Sequence, residues 1–178
     1  MRGATTLLKS NVQIDGLVVQ LHFRGKGARM AGREVRDRTL ATACRTLLAL
    51  PGRRLFQYRG KDGGLHAVRA SDVNAFLREV SGVQVSLKDF RTLVASAGVM
   101  KTLSQARPAR TQRARKALLR DAIAAAAHDL TNTPTVCRES YVHETVIAAF
   151  EQGDLPSRAG RTLEGAAQAL ATVVARHR

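Results

Sequence analysis

Apolar and polar residues alternate through the first part of the chain. Val12-Gln13-Ile14 and Leu17-Val18-Val19-Gln20-Leu21-His22-Phe23 flank Asp15-Gly16, a pair that marks a tight hairpin turn. At period two, Leu17, Val19, Leu21 and Phe23 fall on one face; Val18, Gln20, His22 and Arg24 take the other. Gly25-Lys26-Gly27 predicts a second turn and Arg33-Glu34-Val35 a returning third strand, which puts Lys26 at a hairpin tip above the sheet. From Asp37 the spacing becomes helical: Leu40, Cys44, Leu47 and Leu48 share a face, and Pro51-Gly52 stops the run. A short extended piece, Leu55 to Tyr58, precedes a polar loop. Ser71 is the expected cap of a helix reaching Val80 and ending near Gly82. Ser86-Leu87-Lys88-Asp89 resembles a capping box and opens a helix through about Ser104. An Ala-rich helix is expected over 110–129, Thr133-Pro134 reads as the N-cap and first residue of another, and helical spacing recurs twice from Glu144, broken near Gly153 to Pro156. The pattern predicts an α+β fold, mainly α, with a small antiparallel β-sheet over 1–36 and a helical bundle over 37–178.

Composition narrows the function. The 178 residues carry 29 Lys plus Arg against 14 Asp plus Glu, a formal charge of +15, and 23 of the 29 are Arg. So basic a chain points to a polyanionic partner, with nucleic acid first, and Arg grips phosphate with a two-pronged donor set. Residues 101–120 hold Lys101, Arg107, Arg110, Arg113, Arg115, Lys116 and Arg120 with no acid among them. Aromatic residues are 4%, with no Trp, which favours duplex backbone contact over stacking on single-stranded bases. Two cysteines far apart, Cys44 and Cys137, exclude a disulfide scaffold or zinc module. No apolar run approaches the roughly 20 residues of a membrane span, and the first residues lack the apolar stretch of a secretion signal. A cytoplasmic, nucleoid-associated protein is the expectation.

Walker loops, dinucleotide fingerprints and H-E-x-x-H are missing, and the five histidines are scattered. Of the two tyrosines, Tyr58 lies in an apolar setting and reads as a core or rim residue, whereas Tyr141 stands among polar neighbours near a helix end. Its segment, LTNTPTVCRESYVH over 130–143, resembles the active-site tyrosine segment of type IB DNA topoisomerases of the bacterial and poxvirus branch. Ser86-Leu-Lys-Asp-Phe-Arg-Thr-Leu93 resembles that family's K-D-F-R-T segment and Phe23-Arg-Gly-Lys-Gly27 its hairpin lysine segment; the stretches 50–58 and 71–77 match connecting segments in the same order.

The resemblance implies one catalytic domain over 1–178 that acts on duplex DNA as a monomer, with neither metal nor nucleotide cofactor. It implies that Tyr141 attacks a phosphodiester to leave a 3′-phosphotyrosyl bond and a free 5′-hydroxyl, so that supercoils relax before religation. Lys26 becomes the general acid for the departing 5′-oxygen, and Arg91 holds a non-bridging oxygen. Asn132 takes a position that is His in the poxvirus enzymes. Lys88 adds a phosphate or leaving-side contact, and Arg24, Arg107, Arg110 and Arg113 are accessory DNA contacts. The chemistry is consistent: a phenol is a weak nucleophile at neutral pH, and charge added to the phosphoryl oxygens needs donors aimed beforehand. The family's further catalytic Arg, in an R-x-G-N segment upstream of the stretch matched by Ala4-Thr5-Thr6-Leu7, has no counterpart here, nor does its small N-terminal domain; impaired activity is therefore expected. Two alternatives stand beside this reading, a non-catalytic DNA-binding relative and a tyrosine recombinase catalytic domain. The recombinases usually carry H-x-x-R where this chain has Lys88-Asp89-Phe90-Arg91.

Overall fold

Turn chemistry sets the start of the fold. Val12–Asp15 (β1) and Val18–Arg24 (β2) pair antiparallel through a two-residue loop, Gly16-Leu17, and Met30–Arg36 (β3) returns along β2, giving the order β1-β2-β3. The loop sits one residue later than Asp15-Gly16: Gly16 takes φ 55 at the first loop position, and Asp15 stays in the sheet opposite Val18. The structure is a computed structural model that describes residues 3–24, 30–107, 109–157, 159–160 and 162–177. The hairpin tip with Lys26 lies outside the described residues.

The chain divides into two compact units, Met1–Ser86 and Leu87–Arg178, each with its own core. In the first, cross-strand neighbours Ile14 and Val19, and Val12 and Leu21, put their side chains on the face predicted from period two. Arg38–Ala49 (α1) packs there, its start fixed by the Asp37 carboxylate accepting from Leu40 N at 2.7 Å. Val19, Ala41 and Leu55 are fully buried at the centre of this core. Each large aliphatic chain so buried contributes about 2 kcal/mol. The extended piece pairs with a strand the pattern did not predict: Gln57–Arg59 (β4) with Leu65–Ala67 (β5). Tyr58 is half-exposed and stacks on His66 at 5.6 Å, a rim position. Ala70–Ser81 (α2) is capped by Asp72 accepting from Arg69 N at 2.8 Å, so Ser71 lies inside the helix and is not its cap. Gly82 closes it at φ 68.

The second unit is helical: Leu87–Gln105 (α3), Gln112–Asp129 (α4), Pro134–Tyr141 (α5), Glu144–Gln152 (α6) and Leu163–Arg176 (α7). The α3–α4 connection is short, which makes them antiparallel neighbours. Ala122, Ala126 and Ala127 let α4 approach closely, and Val99, Met100, Val146 and Val173 fill the space between α3, α6 and α7. Thr133 caps α5, accepting from Val136 N at 3.3 Å with Pro134 behind it, as the sequence predicts. The α+β, mainly α class holds. Among the described residues no helix is long and apolar enough to cross a membrane.

Candidate active site

The second unit gathers polar chemistry where α3 begins and α4 ends. Helix α4 leaves its last carbonyls without intrahelical partners, and the chain closes over them in a Schellman turn. Thr131 N donates to His128 O at 3.0 Å and Asn132 N to Ala127 O at 2.8 Å. The residue in the left-handed position is Thr131, φ 55, where glycine is usual. A β-branched side chain there costs about 1 kcal/mol or more. The turn leaves the Leu130 carbonyl outward, and Arg91 Nη2, from the first turns of α3, donates to it at 3.0 Å. The negative end of the α4 dipole favours a cation at this spot.

The same guanidinium lies over the ring of Tyr141, with Cζ 4.9 Å from the ring centroid, within the range of a cation–π attraction. Tyr141 is the last residue of α5 and half-buried. One turn earlier, Cys137 is fully buried; burial pushes its thiol pKa up, and the nearby Arg91 charge partly opposes the shift. The backbone around Tyr141 is tied to α3 through Ser96, which is fully buried. Ser96 Oγ donates to Tyr141 O at 3.2 Å and accepts from His143 N at 2.9 Å. Asn132 Nδ2 is buried and has no hydrogen-bond partner among the described residues.

The structure therefore brings Arg91 and Tyr141 into contact and ties Arg91 to the turn that carries Asn132. Lys88 is exposed one turn before Arg91. Arg107, Arg110 and Arg113 are exposed at the other end of the α3–α4 pair, about 27 Å away along the length of α4. Arg24 ends β2 in the first unit, paired with Met30. Ser96 and the Leu130 carbonyl did not come from sequence reasoning. The one available signal was a single hydroxyl in the small, apolar run Ala95-Ser96-Ala97 of α3.

The family described as eukaryotic DNA topoisomerase I, catalytic core, matches residues 1–155 of the chain. The chain belongs to this family. A relative, the DNA topoisomerase 1B of Acanthamoeba polyphaga mimivirus, is 29% identical over 156 residues. That alignment covers 84% of this chain and 46% of the relative, so the chain spans about half the relative's length. As a type IB topoisomerase catalytic core, it carries the Arg91–Tyr141 pair and the Asn132 turn inside the matched residues. Helix α7 lies beyond them, yet its Leu170 and Val173 belong to the same core as α3. Chemically, the site of this topoisomerase core offers a phenol, a cation held beside it with further N–H donors, and an amide donor without an acceptor among the described residues.

Proposed function

We propose that this catalytic core cuts and rejoins one strand of duplex DNA through Tyr141. The phenol gives up its proton to solvent as its oxygen attacks the phosphorus, the P–Oη bond forms as the bond to the 5′-oxygen breaks, and the product is a 3′-phosphotyrosyl link. Lys26, from the first unit, supplies the proton that leaves with the 5′-hydroxyl. Arg91 and Asn132 give donors to the non-bridging oxygens as charge builds there. Reversal by the 5′-hydroxyl reseals the strand after it has swivelled. One phosphodiester replaces another of similar energy, so the exchange needs no nucleotide hydrolysis.

The observation that carries this reading is Arg91, a guanidinium held against the Tyr141 ring by a backbone carbonyl. Asn132 supports it: a buried donor left without a partner costs about 1–3 kcal/mol, a cost that a bound anion would offset. The basic residues 107–113 support duplex binding as a second patch, and the length of α4 corresponds to about eight base pairs of DNA. Incubation with a suicide duplex labelled at the 5′ end of the cut strand tests the reading. A labelled adduct that survives detergent, and is lost in Tyr141→Phe, is expected. An adduct that persists in Tyr141→Phe would remove the tyrosine from its role, and none at any protein concentration would favour a DNA-binding relative without activity.

A further inference from the structure

A nucleophile placed at the last residue of a helix stands where backbone order is usually poorest, because terminal carbonyls lack intrahelical donors and helix ends fray. Here α5 has eight residues, and α6 begins three residues after Tyr141. The joint between them carries two exacting backbone groups, the Tyr141 carbonyl and the His143 N–H. One hydroxyl serves both. Ser96 Oγ donates to the first at 3.2 Å and accepts from the second at 2.9 Å. It can do so because a serine hydroxyl is donor and acceptor at once. The neighbours Ala95 and Ala97 are buried and small, which brings the α5 terminus within reach of the α3 backbone. Val142 N closes the joint from inside, donating to Cys137 O at 3.1 Å.

Helix α3 therefore holds both sides of one arrangement. Arg91 lies on the ring face of Tyr141, and Ser96, five residues later, fixes the backbone from which that ring projects. We propose that Ser96 is a positioning residue: its hydroxyl sets the direction of the Tyr141 side chain relative to Arg91, so that the phenolic oxygen meets the phosphorus in line. This rests on the reading of Tyr141 as the nucleophile. Ser96 is sealed from solvent. It acts only through the Tyr141 and His143 backbone.

The chain has two tyrosines, so the full chain labelled with 3-fluorotyrosine gives two fluorine resonances, assigned through Tyr141→Phe. Ser96→Ala is expected to shift or broaden the Tyr141 line and leave the Tyr58 line in place. On the suicide duplex its adduct rate constant at saturating DNA falls about a hundredfold, with half-saturation changed by less than about twofold. Ser96→Thr, which keeps the hydroxyl, regains most of that rate. Where Ser96→Ala does not fold, Ser96→Cys, of similar volume but a weak hydrogen-bonding partner, is judged by the same readings. An unmoved Tyr141 line with an unchanged adduct rate overturns the proposal. So do two shifted lines with DNA binding lost, which mark a merely structural role. A Tyr141-dependent adduct insensitive to Ser96→Ala overturns it alone; an adduct formed equally by Tyr141→Phe overturns the nucleophile reading with it.

Discussion

The two ends of the α3–α4 pair both carry arginine, and they hold it differently. At one end Arg91 is engaged twice, by the Leu130 carbonyl and by the Tyr141 ring. At the other, Arg107, Arg110 and Arg113 stand exposed in a stretch without an acid. A fixed guanidinium has lost its rotamer freedom before any substrate arrives, so its donors act on a developing charge without reorganisation. Solvated arginines keep that freedom and are screened by salt; they attract a polyanion without specifying one phosphate. On the proposed function, the same residue type serves geometry at one end and attraction at the other.

The sharpest break of this contrast is Arg91→Ala. It is expected to slow adduct formation at saturating DNA by about a hundred- to a thousandfold, measured in single turnover, with binding much less affected. Arg91→Lys should not restore the rate, because an ammonium cannot reproduce the planar fork. The opposite pattern is expected when Arg107, Arg110 and Arg113 are all changed to Ala. The slope of log affinity against log salt should fall in magnitude by about 2.7, some 0.9 for each lost contact, while the saturated cleavage rate holds. A triple variant that slows cleavage at saturation would erase the distinction.

Smaller effects concern the ordered end alone. Thr131→Gly should raise stability by about 1 kcal/mol in urea unfolding, since glycine accepts the left-handed turn without penalty. Cys137 should give the smallest effect. Its folded pKa is raised above the ordinary 9.0 by burial, so its contribution is present below that value and lost as pH rises through the higher folded one. Urea midpoints should therefore decline on the alkaline side of 9.0, and less steeply in Cys137→Ala. Losing Arg91 should move the Cys137 titration higher still, because its charge favours the thiolate.

What could be read from the residues divides along physical lines. Local signals carried the elements: Thr133-Pro134, Gly82 and the period-two face of β2 each act through their own backbone. They failed where two local signals competed. Asp72 reached back to Arg69 N, and so the helix began before Ser71. Strand β5, with Leu65, His66 and Ala67, is too short for a period to show. In the site, Tyr141, Arg91 and Asn132 could be named because their segments resemble a known pattern. The partners that hold them could not. The carbonyl of Leu130 meets Arg91 across 39 positions and Ser96 meets the Tyr141 carbonyl across 45, and a backbone carbonyl has no sequence signature.

The Ser96 tie also has a mechanical meaning. On the proposed mechanism, the strand joined to Tyr141 is held while the free 5′ end swivels, and the torque would pull on the very end of a two-turn helix. Its first anchor beyond that helix is a hydroxyl seated in the middle of α3, among Val99, Met100 and their neighbours. The load would then pass into the buried core of the unit, leaving the α5–α6 joint little slack to unwind.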